Sequence, residues 1–156
     1  MILKEIKKDL FDMPNDYVLA HCISADFALG AGIAKEFNKR FRTRDDLFFT
    51  ACGNMIESWD EKGENNMPQG CCIVTHQNPV VFNLVTKRNY WDKPTLKSIE
   101  EALEDMRFCG YLFGKDKIAM PRIGCGLDKQ KWSDVKPLIE KVFGDTDFEI
   151  VICVKE

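Results

Sequence analysis

At 156 residues, with 45% apolar and 30% charged side chains, the chain has the size and composition of one soluble globular domain with a substantial core. Its 22 basic and 25 acidic residues leave a formal net charge of −3, which argues against a broad electrostatic footprint for nucleic acid. That balance does not exclude a nucleotide, whose phosphates backbone amides can hold.

Seven cysteines, scattered through apolar runs, and an N-terminus that carries four charges in Met1–Lys8 without a secretory signal predict reduced thiols and a cytoplasmic location. No apolar stretch is long enough to span a membrane. Met1–Lys7 alternates weakly and reads as an edge strand, and 9–14 turns. Tyr17–Cys22 is a short apolar run between turn residues, hence a buried strand. A glycine-bearing loop follows over 24–33, and from Gly32 the sequence takes helical character through Arg40. Leu47–Trp59 is ambiguous between helix and irregular structure, and the polar stretch Glu61–Gln69 reads as an exposed loop.

Gly70–His76 and Val80–Thr86 are β-branched and apolar, and the intervening Gln77-Asn78-Pro79 is a hairpin signal. Lys87–Lys93 is a charged aromatic loop, and Lys93-Pro94-Thr95 opens a long helix through Phe113 with Ile99, Leu103, Met106 and Cys109 at helical spacing. Lys115–Met120 is a strand, Lys131–Phe143 a helix and Phe148–Val154 a closing strand. Strands alternate with helices, with no linker or repeat, so the expectation is a single α/β domain over 1–156 with a mixed sheet between helices.

Two stretches stand out. Pro121–Asp128, P-R-I-G-C-G-L-D, joins a buried strand to a helix through two glycines that neither element would favour in its interior. Such a loop lets backbone N–H groups approach a guest closely, most often a phosphate. The loop Gly30-Ala31-Gly32-Ile33 occupies the equivalent place after the Tyr17–Cys22 strand, and in an open α/β sheet such loops gather where ligands bind. Each alone is equally a glycine turn, Asp128 is equally a helix cap, and Lys87 beside Arg88 is by default a solvated charge. His21, inside an apolar run, reads first as a hydrogen-bonded core histidine and second as a residue that orients a site.

Taken together, D-L-F near the N-terminus, A-H-C-I-S, G-A-G-I-A, T-K-R, K-P-T and P-R-I-G-C-G-L-D resemble, in this order and over essentially the whole chain, a macrodomain. More narrowly they are similar to the terminal ADP-ribose protein glycohydrolase branch, to which macrodomain antitoxins that reverse DNA ADP-ribosylation are close. The resemblance implies a three-layer α/β/α fold that binds ADP-ribose above the sheet. It implies that Asp9 and Leu10 meet the adenine end, and that Ser24 with Gly30, Ala31, Gly32 and Ile33 holds the distal ribose and a phosphate, His21 being carried with this ligand-binding group. Arg122, Ile123, Gly124, Cys125, Gly126 and Leu127 match a second phosphate loop, and Lys87 and Asp128 the catalytic pair. Two departures stand out: Lys8 replaces the glycine usual before D-L, and Asn89-Tyr90-Trp91 follows T-K-R.

The chemistry fits those residue types. Cleavage at ribose C1″ passes through an oxocarbenium-like state, and a nucleophile that captures C1″ divides the work into two steps. A free lysine has a pKa of about 10.4, so it must lose a proton before attack, and Asp128 is the expected shuttle. The expected activity is removal of a terminal ADP-ribose from a protein Glu or Asp ester, an O-acyl-ADP-ribose or an ADP-ribosylated DNA base. The rival readings are a non-catalytic ADP-ribose reader and a cysteine-dependent hydrolase built on Cys125. No cofactor or metal is expected, since Cys71 and Cys72, adjacent on a strand, point to opposite faces. The expected partner is ADP-ribose or an ADP-ribosylated protein or DNA, bound by a monomer away from any membrane.

Overall fold

A computed structural model describes residues 1–76 and 79–155. Six strands, β1 (Ile2–Lys7), β2 (Val18–Ser24), β3 (Cys71–Thr75), β4 (Val81–Lys87), β5 (Lys117–Met120) and β6 (Glu149–Val154), form one sheet in the order β1-β6-β5-β2-β4-β3. All neighbours run parallel except the edge pair β3 and β4, so the sheet is mixed. The helices are α1 (Gly32–Phe41), α2 (Thr43–Ala51), α3 (Ile56–Glu64), α4 (Leu96–Phe113) and α5 (Trp132–Phe143). A single 3-10 turn, Leu10–Asp12, follows β1.

Alternation along the strands builds three layers. One set of side chains, including Ala20, Phe82, Leu84, Ile118, Met120 and Ile152, packs against Ile99, Leu103 and Met106 of α4 and Val135, Ile139 and Phe143 of α5. The opposite set meets the other helices. Leu19, Val81, Ala119 and Val151 pack on Phe37 of α1, while Ile23, Val85 and Cys71 pack on Leu47, Met55 and Trp59 of α2, α3 and the turn between them. The fold is thus α/β/α, with both faces covered as a largely parallel sheet requires.

Helix α4 starts where the T-L-K-S pattern allows a reciprocal cap. Ser98 N–H donates to Thr95 Oγ1 at 3.0 Å and Thr95 N–H donates to Ser98 Oγ at 3.1 Å, which satisfies two otherwise unpaired donors. Two expectations need correction. The ambiguous stretch is two helices, α2 and α3, separated by Cys52 and Gly53 with φ of 56° and 126°. The exposed loop expected from Glu61 begins only at Asn65, because α3, with half-buried Ile56 and Trp59 packed against the cluster on this face of the sheet, propagates to Glu64. The first two residues of the hairpin signal, Gln77 and Asn78, lie outside the described residues.

All seven cysteines are free. Among the described residues no helix is long and apolar enough to cross a membrane.

Candidate active site

Strands β5, β2 and β4 are adjacent and parallel, so their C-terminal ends stand side by side and each releases its loop at the same sheet edge. The loop after β2 runs 25–31, that after β4 runs 88–95, and that after β5 runs 121–131. They enclose a cavity of about 870 Å³, within the range of small-molecule sites. Its walls come from Cys22–Ser24, 28–34, Lys87, Tyr90–Asp92, Pro121–Gly124 and Gly126–Asp128.

A register shift between β2 and β4 sets Ser24 opposite Lys87, leaving Thr86 as the extra residue. The Thr86 carbonyl accepts from Ser98 Oγ at 2.6 Å, which ties the start of α4 beneath the end of β4. Lys87 Nζ then reaches across β2 and donates to Asp128 Oδ1 at 2.5 Å and to the Tyr90 carbonyl at 3.1 Å. The two charged side chains are only 14% and 15% exposed, so this is a largely desolvated pair at the cavity wall. Asp128 is not a helix cap: α5 begins at Trp132 with Lys131 as its N-cap, and Lys129, at φ 60°, turns the chain in between.

The other wall is the N-terminus of α1. Its capping residue Ala31 is extended and brings no side-chain hydrogen bond, so among the described residues no capping side chain occupies the first amides of α1 beside the cavity. That end of a helix favours anions through both its free N–H groups and its dipole. Gly32 sits at φ +59°, and a Cβ there would lie 3.1 Å from Leu127 Cδ1, so the two glycine loops approach each other across the cavity. Gly124, at φ +72°, turns the third loop, which is closed by Gln130 N–H donating to the Gly124 carbonyl at 2.7 Å. Gln130 Nε2 also donates to the Pro94 carbonyl at 2.6 Å and so links the third loop to the second.

Of the residues singled out in the sequence, Ser24, Gly30, Ala31, Gly32, Ile33, Lys87, Arg122, Ile123, Gly124, Gly126, Leu127 and Asp128 line this cavity. Arg122 does so with its guanidinium donating to Glu5 Oε1 at 3.3 Å and lying over the Trp132 ring.

Four others lie elsewhere. Cys125 is half-buried against the α4 and α5 core with its thiol 3.3 Å from the Ile123 carbonyl, and burial raises its pKa. Asp9 caps the 3-10 turn, accepting from Phe11 N–H at 3.0 Å and from Lys155 at 3.2 Å. Leu10 is buried with Phe37 and Val151. His21 is fully buried on the α1 side of the sheet, stacked on Phe37 at 3.8 Å, with Nε2 2.7 Å from Asn83 Oδ1. The side chain of a central strand residue must choose one face, and His21 faces α1.

Cys22, Tyr90 and Trp91 also line the cavity, and Asp26 stands behind it. Cys22 lies in its wall, where burial and the Asp128 carboxylate push its thiol up to about 12, so it carries no nucleophilic thiolate at neutral pH. Tyr90 and Trp91 meet edge to face at 4.9 Å and stand 62% and 68% exposed at the rim. Asp26 bridges two of the loops, and its only trace in the sequence is a polar residue at a strand exit followed two residues later by an available N–H. Among the described residues no three His, Cys, Asp or Glu side chains converge as a metal site.

No protein-family model matches the chain. The ADP-ribose glycohydrolase OARD1 of Homo sapiens is 35% identical over 147 residues, which span 94% of this chain and 88% of that protein. The macrodomain of Thermus aquaticus DarG superposes with a TM-score of 0.78 at 21% identity over 98% of both chains. Thermosipho africanus DarTG, solved in complex with ADP-ribose, superposes with a TM-score of 0.71 at 21% identity over 99% of this chain and 42% of that one. These two structures share the three-layer fold described above.

Proposed function

We propose, because this chain belongs to the family of the ADP-ribose glycohydrolase OARD1, that it is a hydrolase that binds ADP-ribose and releases it from a modified acceptor. The observation that carries the reading is the 2.5 Å contact between Lys87 and Asp128, residues 41 positions apart that meet in one wall of the cavity. The uncapped start of α1 and the Pro121–Asp128 loop offer backbone N–H groups for the diphosphate. ADP-ribose laid along them points its distal ribose toward Ser24 and Lys87.

In this reading Asp128 takes a proton from the Lys87 ammonium, and the neutral amine attacks C1″. The bond from C1″ to the acceptor breaks with its electron pair, and Asp128 returns the proton to the leaving acceptor. The resulting ribosyl–lysine adduct, which can open to a Schiff base, is then hydrolysed. Water adds at C1″ as Asp128 takes its proton, and Lys87 departs carrying that proton. The acceptor is a protein carboxylate ester, an O-acyl group or a DNA base, and the exposed Tyr90 and Trp91 flank the side on which it would sit.

Intact mass spectrometry after incubation with ADP-ribose tests the mechanism on the wild type, Lys87→Ala and Asp128→Ala. The expected result is an adduct of one ADP-ribose that is absent in Lys87→Ala, and accumulation in Asp128→Ala would mark resolution as the step that depends more on the aspartate. No adduct in any variant, with ADP-ribose still bound by calorimetry, would replace the enzyme by a reader. No binding at all would remove the ligand.

A further inference from the structure

We infer that Asp26 is a positioning residue for Lys87, acting through the backbone of Tyr90; the inference rests on the reading of Lys87 as the nucleophile. Asp26 follows β2 by two residues and its carboxylate serves two loops at once. Oδ1 accepts from Ser24 Oγ at 2.5 Å, at the end of β2, and from Ala28 N–H at 3.1 Å, on the loop that leads to α1. Oδ2 accepts from Tyr90 N–H at 3.0 Å, on the loop that leaves β4. The Asp26 N–H itself donates to the Arg88 carbonyl at 3.2 Å, and Ala25 N–H to the Lys87 carbonyl at 2.8 Å, so the ladder between β2 and β4 continues into both loops.

Tyr90 is the link to the chemistry. Its carbonyl accepts from Lys87 Nζ at 3.1 Å, and that contact holds the amine beside Asp128. A lysine has four rotatable bonds, and two acceptors at its end select one arrangement among many. One acceptor is the Asp128 carboxylate, which must give up its contact when it moves the proton. The Tyr90 carbonyl keeps no such second duty, so it holds the neutral amine in line, and its own place is set by the hydrogen bond from Tyr90 N–H to Asp26.

A carboxylate is required at position 26 because all its partners are donors. Two oxygens, each with two lone pairs, accept the hydroxyl and the two N–H groups. An asparagine has one oxygen. Kept toward Ser24 and Ala28, it would turn its NH₂ group against the Tyr90 N–H, donor to donor. Asp26→Asn therefore severs the link to the lysine loop while preserving the turn onto Ala28. Asp26→Ser does the same by length, since a hydroxyl closes a turn onto Ala28 N–H but does not span to Tyr90.

The test measures kcat on an ADP-ribosylated peptide or oligonucleotide that the wild type turns over, ADP-ribose affinity by calorimetry, and amide hydrogen exchange at Tyr90 and Ala28. For Asp26→Asn and Asp26→Ser the expected result is kcat lower on the order of 10²-fold, the size that a misplaced reacting group costs, with ADP-ribose affinity within about threefold. Exchange at Tyr90 accelerates and exchange at Ala28 does not. A kcat within threefold of wild type overturns the inference, as does an unchanged Tyr90 amide. So does loss of kcat and affinity together, which would mark Asp26 as a scaffold for the whole loop. Lys87→Ala runs alongside: if it keeps wild-type turnover, the lysine mechanism itself fails, whereas normal loss in Lys87→Ala with normal kcat in both Asp26 variants overturns only the positioning role.

Discussion

Replacing His21 with glutamine should remove most of the acid sensitivity of the fold between pH 7 and 5, and the structure gives the size of the effect. The Asn83 side-chain NH₂ donates to the Ile73 carbonyl at 3.0 Å and to Thr75 Oγ1 at 3.1 Å, which leaves its Oδ1 facing His21. His21 Nε2 must therefore carry the proton and donate, and Nδ1, buried without a hydrogen-bond partner among the described residues, is bare. A second proton would sit on Nδ1 with no acceptor among the described residues. Burial accordingly lowers the pKa of His21 to about 4, against 6.5 when unfolded.

The sign follows from which state binds the proton first. As pH falls through 6.5 the unfolded chain protonates and the folded one does not, so stability is full above that value and is lost down to about pH 4. Linkage gives a loss of about 2 kcal/mol between pH 7 and 5, and about 3 kcal/mol by pH 4. Asp9 and Glu5, whose carboxyls are held low by hydrogen bonds from Phe11 N–H and from Lys136 respectively, begin to contribute only below their unfolded values, so pH 5 isolates the histidine. Urea unfolding at the two pH values reads the effect. With a slope of about 2 kcal/mol per molar, the wild-type midpoint should fall by about 1 M more than that of His21→Gln. Parallel shifts in the two proteins would refute the buried neutral imidazole. Because His21 faces α1, the variant should also keep ADP-ribose affinity within about threefold, and a larger loss would return the residue to the site.

Gly124→Ala should weaken ADP-ribose binding at least tenfold by calorimetry and cost about 1–2 kcal/mol of stability, since φ is +72° and a Cβ would lie 2.9 Å from Ile99 Cδ1. Wild-type affinity would show that the loop's shape does not serve the ligand. Cys125→Ala should leave turnover within about threefold, because the thiol packs on the core under the loop and burial keeps it protonated. A loss beyond tenfold would revive cysteine chemistry.

The sequence displays its elements unevenly, for physical reasons. All six strands are visible, β1 as a weak alternation and the others as short apolar runs, and α1, α4 and α5 as segments of helical character. Helices α2 and α3 escape because each packs through only a few side chains, Leu47 and Phe48 in one and half-buried Ile56 and Trp59 in the other, so no continuous apolar stripe is needed. His21 sits in the same run as Ser24, and only the pleat separates the two: one faces α1, while the other ends the strand at the cavity. Asp26 shows least of all, since its role depends on a hydrogen bond to Tyr90, 64 positions away.

The meeting of Lys87 and Asp128 has the same origin in strand order. Their strands, β4 and β5, are not neighbours; β2 lies between them. Two interstrand spacings amount to about 10 Å, too far for direct contact between the strand ends. A lysine side chain from one side and an eight-residue excursion, Pro121–Asp128, from the other close that gap above Ser24. The middle strand therefore ends in a small hydroxyl residue and gives its next loop to the helix that would hold the phosphates, so that nothing bulky stands between the two charged groups. A large side chain at position 24 should block the pair even with both partners present. Turnover lost in Ser24→Leu but kept within about tenfold in Ser24→Ala, which also gives up the hydroxyl's bond to Asp26 but adds no bulk, would mark the gap above β2 as the space that the distal ribose needs. Equal losses in the two would refute it.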